Sequence, residues 1–265
     1  MTGLNLQGCQ AIITGASSGL GVEFARQLAP KAARLWLVAR RLPELEQTKA
    51  MVLGINPAVQ VDLVAADVGT EAGLQAVLTA VEGAAPNFLI NNAGLGDYGR
   101  FDDAPRDRVK AQMDVNMTGL VMLTHAMIPC LARPGGVLNV SSLAGNVFMP
   151  EMAVYAASKA FVTSFTEALR LEMQSRQVLV AAVCPGPTPT NFGNNARREG
   201  GIDTNRSGQD LLRQTPEQVV RRGLALLESG GATVFPGRAV ALVATLFRIM
   251  PRALLRWIMK RRMKG

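Results

Sequence analysis

The sequence has few side chains that bind metals, with one histidine and three cysteines in 265 residues. A single histidine, His125, cannot build a metal site, and Cys9, Cys130 and Cys184 do not have the spacing of metal ligands. We therefore expect no metal centre, and we expect three buried thiols in a reducing compartment. His125 lies in an apolar helical pattern, which favours a structural role over a catalytic one.

Long apolar runs are also missing from the chain. No uninterrupted apolar run is long enough to span a bilayer, and the first residues lack the basic segment and apolar core of a secretory signal. We therefore expect a cytoplasmic protein. No repeat, low-complexity tract or composition shift divides the body of the chain. Residues 1–237 are thus predicted to form one α/β domain, followed by a basic tail at 238–265.

Acidic residues are absent from this tail. Residues 238–265 hold eight of the 28 Lys and Arg residues and none of the 20 Asp and Glu residues, which leaves 20 bases and 20 acids elsewhere. The body of the chain is therefore neutral, and the net charge of +8 belongs to the tail. This basicity is no evidence that the body binds nucleic acid, and we expect no nucleic-acid partner.

The tail combines regularly spaced cations with apolar residues. The cations recur every four residues, at Arg248, Arg252, Arg256, Lys260 and Lys264. Between them lie Leu246, Phe247, Ile249, Met250, Leu254, Leu255, Trp257, Ile258 and Met259. Such a helix can lie in an anionic membrane interface, as a peripheral contact at the inner membrane face. Its apolar face can equally pack on the domain or on a second subunit. Pro251 is expected to kink the helix or start a second one.

Short apolar runs alternate with helical patterns along the body of the chain. Strands are predicted at 11–13, 35–38, 59–65, 88–90, 136–140 and 178–183, and the helices between them include 22–28 and 153–173. This alternation predicts a parallel sheet with helices on both faces.

A glycine-rich turn follows the first predicted strand. It contains Thr14, Gly15, Ser17, Ser18, Gly19, Leu20 and Gly21. A strand, a glycine turn and a helix direct backbone N–H groups and the positive helix end toward one point, which suits a pyrophosphate. We expect Gly15 to allow the tight turn, Gly19 to admit the phosphate, and Gly21 to let the helix pack on the strand. The spacing is not G-x-G-x-x-G, so this loop alone is equally compatible with an ordinary turn.

The end of the second predicted strand favours NADP over NAD. An NAD site usually has an acid there, about 20 residues beyond the glycines, which binds the ribose hydroxyls. This chain has Arg40 and Arg41 instead. Two guanidinium groups suit a 2′-phosphate because their planar forks form paired hydrogen bonds with it. The alternative is that both arginines are solvated charges at the start of the next helix.

Tyr155 and Lys159 are four residues apart at the start of a predicted helix, so their side chains share one face. A free phenol has a pKa of about 10, and we expect the nearby ammonium group to lower it. Ser142 follows the preceding strand, at the sheet edge where ligands bind in such folds. We predict that Tyr155 moves a proton to or from a carbonyl oxygen to which Ser142 also donates. By itself, a Tyr-x-x-x-Lys pair is commonly a helix surface pair.

Taken together, these segments resemble the short-chain dehydrogenase/reductase family over nearly the whole chain. The matching motifs are residues 14–21, Asp67-Val68, Asn91-Asn92-Ala93-Gly94, Asn116, Ser142, Tyr155 with Lys159, and Pro185-Gly186 with Thr188 and Thr190. The resemblance implies a single Rossmann-like, doubly wound, seven-stranded parallel sheet with helices on both faces. It also implies an oxidoreductase that acts on carbonyl and alcohol groups with NADP(H), with NAD(H) as the less expected cofactor.

The resemblance assigns roles to individual residues. Asp67 and the Val68 backbone would hold the adenine, and Asn92, Ala93 and Gly94 would lie against the adenosine ribose. The backbone carbonyl of Asn116 would hold a water linked to Lys159, which would bind the nicotinamide ribose. Pro185, Gly186, Thr188 and Thr190 would belong to the cofactor site, with the Thr188 backbone and Thr190 side chain on the carboxamide. Many NADP-using members carry a base where this chain has Ser18, so the phosphate would depend on Arg40, Arg41 and the Ser17 or Ser18 hydroxyl.

The substrate region is predicted from position and polarity. The polar segment 192–209 falls within the mobile lid of the family, at about 187–213. Other predicted pocket residues are Leu95 to Tyr98, Leu143, Phe148 and Met149, and their apolar character favours a hydrophobic ketone or 3-oxoacyl chain. We expect a homo-oligomer, either a dimer or a tetramer. The alternative function is a non-catalytic NADP-binding regulator, although such relatives typically lose the tyrosine or lysine that this chain keeps.

Overall fold

The computed structural model describes residues 3–198 and 210–262. Seven strands form a sheet of order β3-β2-β1-β4-β5-β6-β7, in which every neighbouring pair is parallel. The strands are β1 (Cys9–Thr14), β2 (Ala32–Ala39), β3 (Gln60–Ala65), β4 (Phe88–Asn91), β5 (Gly135–Val140), β6 (Val178–Val183) and β7 (Thr233–Val234). The strand order reverses between β1 and β4, which is the position where such sheets open a binding crevice.

The helices connect successive strands and then continue beyond the sheet. They are α1 (Gly19–Leu28), α2 (Leu42–Ile55), α3 (Glu71–Ala80), α4 (Arg106–Met113), α5 (Leu120–Met127), α6 (Ala153–Glu172), α7 (Asn191–Ala196), α8 (Pro216–Ser229), α9 (Arg238–Ile249) and α10 (Arg252–Arg262). A π-helical turn, Asp114–Gly119, joins α4 to α5, and a 3-10 turn, Leu143–Asn146, follows β5.

Alternate side chains of the strands enter two different cores. Ile13 and Leu37 belong to the core under α1, α2 and α8, whereas Ile12 and Trp36 belong to the core under α3 and α5. A strand places successive side chains on opposite faces, so this alternation means that the sheet is buried on both sides. The predicted doubly wound, seven-stranded parallel sheet is confirmed.

Two local predictions differ from the structure, and one strand had no predicted counterpart. Helix α1 begins at Gly19 rather than at residue 22, because the glycine turn already has its first helical residue there. Strand β7 has only two residues, too few to give a sequence pattern. The prediction that all three thiols are buried was wrong for Cys130, which is exposed at the end of a short turn after α5; Cys9 and Cys184 are buried, and all three are free.

The tail forms α9 and α10, which pack on the body of the protein. Val240 and Ala244 of α9 contact Leu143 after β5. Leu255 and Met259 of α10 pack with Val147 in the same connection. One face of the tail is therefore a packing element. In the described part of the chain, no helix has the length and hydropathy needed to cross a membrane.

The predicted lid is only partly within the described residues. Helix α7 and the residues up to 198 form its first part, and a short turn from residue 210 begins its last part. Residues 199–209 lie outside the described ranges.

Candidate active site

The glycine turn between β1 and α1 has the geometry expected of a phosphate loop. Gly15 and Gly19 have φ angles of 68° and 55°, in the left-handed region that favours glycine. A Cβ on Gly21 would lie 2.1 Å from the Gly15 carbonyl oxygen, so only glycine lets α1 approach the loop this closely. The side chain of Ser18 precedes α1 and forms no capping hydrogen bond, which leaves the first N–H groups of the helix open to a ligand.

Hydrogen bonds tie this loop to the end of β4. The Thr14 hydroxyl accepts from the backbone N–H groups of Asn92 and Ala93, each at 3.0 Å. The Asn92 side chain donates to the Thr14 carbonyl oxygen at 2.9 Å. These bonds hold the two central strand ends together, and the predicted residues at 92–94 therefore lie beside the glycine turn.

The ends of β2 and β3 bring a charged cluster to the same edge. Nη1 of Arg40 lies 3.8 Å from a carboxylate oxygen of Asp67, and Arg41 pairs with Glu44 at 3.0 Å. Both arginine side chains are more than half exposed, so these ion pairs are weak and can exchange for a ligand phosphate. The two arginines and Asp67 line the same cavity as the glycine turn.

Helix α6 supplies a buried tyrosine and a buried lysine. Tyr155 is hydrogen-bonded to Ser142, whose hydroxyl also accepts from the Ala144 N–H at 3.1 Å. Lys159 donates from Nζ to the Val140 carbonyl oxygen at 2.8 Å, at the end of β5. Nζ lies 5.9 Å from the centre of the Tyr155 ring. The end of β5 and the start of α6 thus assemble the predicted hydroxyl, phenol and ammonium groups.

Burial shifts the pKa values of Tyr155 and Lys159, and the shift of Tyr155 is opposite to the one expected from the sequence. The pKa of Tyr155 is raised well above its usual value by burial, although its hydrogen bond with Ser142 opposes the rise. Burial lowers the pKa of Lys159 to about 8. The expectation of a lowered pKa for the phenol was wrong for this structure, because the net shift of the Tyr155 pKa is upward. Burial is the largest cause, because the phenol has lost its contact with water, and Nζ of Lys159 donates to the Val140 carbonyl rather than to the phenol.

Asn116 lies in the π-helical turn between α4 and α5. Its side chain accepts from the Leu95 N–H at 2.8 Å and donates to the Leu95 carbonyl at 2.9 Å. It also donates to the Ser158 hydroxyl at 3.0 Å, which joins the turn to α6. A Cβ on Gly94 would come 3.5 Å from Lys159 Nζ and 3.4 Å from the Asn116 amide oxygen. Asn116 is therefore a close neighbour of Lys159, although the sequence does not predict the π turn that holds it.

The loop after β6 closes the other side of the crevice. The Pro185 carbonyl accepts from the Leu143 N–H at 2.8 Å, and the Gly186 N–H donates to the side chain of Gln214 at 2.9 Å. Thr190 caps the start of α7 and packs against Gly19, where an added Cβ would be 3.1 Å from Cβ of Thr190. The loop from Pro185 to Thr190 therefore reaches the phosphate loop across the cavity.

A cavity of about 1120 Å³ joins these segments. Of the predicted site residues, those that line it are Gly15, Ser17, Ser18, Gly19, Leu20, Arg40, Arg41, Asp67, Val68, Asn92, Ala93, Gly94, Ser142, Tyr155, Lys159, Pro185, Gly186, Thr188 and Thr190. Gly21 and Asn116 support the lining from behind. Phe148, a predicted pocket residue, does not line the cavity and is 44% exposed, because the turn after β5 directs it outward.

Sequence reasoning missed part of the cavity wall. Val243 and Phe247 of α9 and Met259 of α10 all line it. The sequence pattern placed Phe247 and Met259 among the apolar residues of a tail helix, but nothing in the sequence states what those residues contact. Tyr98 and Phe192 were expected near the pocket, and the Phe192 ring lies 5.4 Å from the Tyr155 ring.

The residues present fit a dinucleotide. A Cβ added at Gly15, Gly19 or Gly21 would take up space that the turn leaves open or would clash with neighbouring residues. The N–H groups at the start of α1 have no side-chain cap and remain available to a phosphate. Among residues 3–198 and 210–262, no group of three or more His, Cys, Asp or Glu side chains is placed to hold a metal ion. The cavity thus combines a phosphate-binding end with proton-donating groups at its other end.

Comparison with known proteins also indicates a dehydrogenase or reductase. The family model described as short chain dehydrogenase matches residues 10–200. An uncharacterized oxidoreductase of Myxococcus xanthus is 29% identical over 92% of this chain and 93% of its own length. A very-long-chain 3-oxoacyl-CoA reductase of Mycosarcoma maydis is 29% identical over 91% of this chain and 70% of that protein. A 3-ketodihydrosphingosine reductase of Bacteroides thetaiotaomicron is 32% identical over 69% of this chain and 65% of that protein.

Solved structures agree in fold and in cofactor class. A short-chain dehydrogenase from Sphingobium yanoikuyae in complex with NADPH has a TM-score of 0.79 and 27% identity, covering 95% of each chain. A 3-ketoacyl-(acyl-carrier-protein) reductase from Brucella melitensis, complexed with NADH, has a TM-score of 0.74 and 27% identity, covering 89% of this chain and all of that one. A nicotinamide cofactor is therefore supported. With the family model matching most of the chain, this protein belongs to the short-chain dehydrogenase/reductase family and is an oxidoreductase acting on carbonyl or alcohol groups.

Proposed function

We propose that the protein is an NADPH-dependent reductase of a hydrophobic ketone or 3-oxoacyl substrate, which also runs in reverse as a dehydrogenase. The observation that carries this proposal is the convergence of Tyr155, Ser142 and Lys159 on one cavity. Arg40 and Arg41 lie at the other end of that cavity. These groups supply a proton donor, a carbonyl-binding hydroxyl and a cationic phosphate site.

In this proposal, the cofactor supplies the hydride that reduces the carbonyl carbon. Tyr155 donates its phenolic proton to the carbonyl oxygen, and Ser142 holds the same oxygen by a hydrogen bond. The raised pKa of Tyr155 keeps it protonated before reduction, as an acid must be. Lys159 binds the nicotinamide ribose, and its charge stabilises the phenolate that forms when the proton leaves. Asn116 donates to the hydroxyl of Ser158, the residue before Lys159 on α6, and its backbone carbonyl would lie on a water path that returns the proton.

We assign the adenosine end of the cavity to NADP. Arg40 and Arg41 would bind the 2′-phosphate with help from the Ser17 or Ser18 hydroxyl, and Asp67 and Val68 would hold the adenine. The weak pairing between Arg40 and Asp67 supports this assignment, since a phosphate offers the guanidinium group a stronger partner. Residues 92–94 and the loop from Pro185 to Thr190 complete the binding site for the ribose and carboxamide.

The apolar wall of the substrate end supports a hydrophobic substrate. Leu143, Met149, Val243, Phe247 and Met259 line the cavity on this side. Two relatives are named for the reduction of 3-oxoacyl-CoA and 3-ketodihydrosphingosine, both of which carry long apolar chains. We therefore place the substrate of this protein among lipid-like carbonyl compounds.

We further propose a homo-oligomer in a reducing, cytoplasmic compartment. Met122 of α5 and Phe161 of α6 are large apolar side chains on the surface, and the Phe161 ring stacks on Phe165 at 6.0 Å. Helix faces of this kind are typical of subunit contacts. The three free cysteines support a compartment in which thiols stay reduced.

The test is a screen of NADPH oxidation against ketones and 3-oxoacyl thioesters of graded chain length. The expected result is turnover that rises with chain length and is much slower with NADH. A non-catalytic NADP-binding regulator would bind NADPH without oxidising it against any carbonyl compound. Equal turnover with polar and apolar substrates would contradict the assignment of a hydrophobic substrate.

A further inference from the structure

Both tail helices have a second apolar face that is largely exposed in the described part of the protein. On α9 this face consists of Leu242, Leu246 and Ile249, which are 62%, 43% and 71% exposed. On α10 it consists of Leu254, Trp257 and Ile258, which are 46%, 51% and 37% exposed. Residues three and four apart share one side of a helix, so each set forms a continuous surface stripe. We call these six residues the tail stripe.

The tail stripe is separate from the face that packs on the body. Val240 and Ala244 of α9 and Leu255 and Met259 of α10 are the buried residues, and their helical positions lie on other sides of the two helices. Packing on the body therefore uses one side of each tail helix and leaves the tail stripe exposed on another side. The two roles that the sequence suggested for the tail are thus compatible.

Exposed cations accompany the tail stripe. Arg248 near the end of α9 and Arg252, Arg256, Lys260 and Arg261 of α10 are all exposed. The guanidinium group of Arg261 lies 3.9 Å from the centre of the Trp257 ring. Residues 238–265 contain no acid, so every charge contributed by the tail is cationic. By helical position, Arg261 lies on the side of the tail stripe and Lys260 beside it, whereas Arg252 and Arg256 lie on the opposite side of α10. An apolar stripe with a tryptophan, on helices whose only charges are cationic, is complementary to an anionic surface with an apolar interior.

We propose that the tail stripe docks on an anionic lipid bilayer. In this arrangement the apolar side chains enter the headgroup region, Arg261 and Lys260 lie at the lipid phosphates, and the other cations attract the anionic surface from within about one Debye length, roughly 10 Å. A second copy of the chain is disfavoured as the occupant, because a symmetric contact would bring the two cationic surfaces together. The docking goes beyond the proposed reaction and does not depend on which carbonyl compound is reduced.

The docked tail would also place the substrate cavity close to the lipid. Val243 and Phe247 line the cavity from α9, and Met259 lines it from α10, so the same two helices bear both surfaces. An α-helix with its side chains is about 10 Å wide. The cavity wall and the bilayer surface would therefore be separated by one helix, which suits an apolar substrate that resides in the membrane.

The test is sedimentation of the full chain with vesicles of phosphatidylcholine alone and of phosphatidylcholine with phosphatidylglycerol. Binding is expected only to the anionic vesicles and should weaken as salt is added. Ile249→Ser with Trp257→Ser should reduce the affinity by at least about tenfold. Lys260→Gln with Arg261→Gln should reduce it by at least about tenfold.

The matched control is Leu171→Ser with Phe101→Ser. These residues are 73% and 64% exposed, and both lie outside the tail. The control pair should bind vesicles like the parent protein, and NADPH affinity should be unchanged in every variant, which shows that each one folds. Loss of the proposed reductase activity would leave the vesicle result unaffected, so the two proposals fail separately.

Two outcomes would overturn the proposal. In the first, the parent protein binds neither kind of vesicle, and the tail variants have a lower sedimentation coefficient than the parent. The stripe would then be an interface between copies. In the second, the control pair loses as much vesicle affinity as the tail pair, which would mean that any exposed apolar side chain supports the binding.

Discussion

Tyr155 tests the proposed chemistry at the scale of a single residue, because the chain has only two tyrosines and both line the cavity. Tyr155→Phe removes the phenolic proton with little change in volume. We expect turnover to fall by about 10²–10⁴-fold, the usual loss for a general acid, with NADPH affinity nearly unchanged. Tyr98→Phe is the control and should retain most of its kcat. Near-normal turnover of Tyr155→Phe, measured by NADPH oxidation, would rule out this mechanism.

The buried ammonium group of Lys159 predicts a pH limit. Its pKa of about 8 means that Lys159 is charged below this pH and neutral above it. The charge that stabilises the phenolate is lost as pH rises, so kcat/KM for carbonyl reduction should fall above about pH 8. The guanidinium group of the Lys159→Arg variant stays charged over this whole pH range. If that variant retains activity, its alkaline limb should move to higher pH; an unmoved limb would assign the titration to another group.

Arg40 tests the cofactor preference. A charge-assisted hydrogen bond contributes about 1.5–3 kcal/mol, so Arg40→Ala should weaken NADPH binding by roughly tenfold to more than a hundredfold. NADH lacks the 2′-phosphate and should be affected much less. Arg176→Ala, at an exposed arginine outside the cavity, is the control. Equal losses for both cofactors in a fluorescence titration would mean that Arg40 is a surface charge.

At the scale of elements, the sequence predicted those strands and helices whose own residues form a local apolar pattern. The apolar runs at 35–38 and 178–183 identified β2 and β6 because those strands are buried on both faces. The two residues of β7 have no pattern of their own, and their pairing with β6 is set by the fold. The π turn that holds Asn116 likewise could not be predicted from the sequence, because a single extra residue within a helical pattern barely changes the apolar periodicity.

Gly21 provides a test of the close approach between α1 and the glycine turn. In Gly21→Ala the new Cβ would meet the Gly15 carbonyl oxygen at 2.1 Å, so α1 must move. We expect lower stability in urea and weaker NADPH binding. Gly54→Ala in α2 is the matched control, because its Cβ would meet nothing within 4 Å. That variant should gain about 0.5–1 kcal/mol from helix propensity and bind NADPH normally. Equal effects of both substitutions would contradict the packing argument.

At the scale of the whole molecule, long-range contacts decide what the sequence leaves open. The motifs around Gly15, Ser142 and Tyr155 indicate one crevice because parallel strand ends share an edge of the sheet. The tail pattern indicates an apolar helix face but not its partner. Burial likewise reverses the expected change in the pKa of Tyr155, because solvent exclusion depends on every element around the site. Local patterns therefore predicted the fold and its chemical groups, while the cavity wall and its electrostatics required the assembled structure.

The tail should determine substrate preference if α9 and α10 form the wall of the substrate pocket. Met259 lines the cavity, whereas Met250 packs in the same apolar cluster without lining it. Each buried methylene contributes about 0.8 kcal/mol. Met259→Ala should therefore lower kcat/KM for a long-chain carbonyl substrate by at least about tenfold and leave a short ketone almost unaffected. Met250→Ala removes a similar side chain from the cluster and should affect both substrates equally, through stability alone. If the two variants have the same chain-length profile, the tail supports the fold without contacting the substrate.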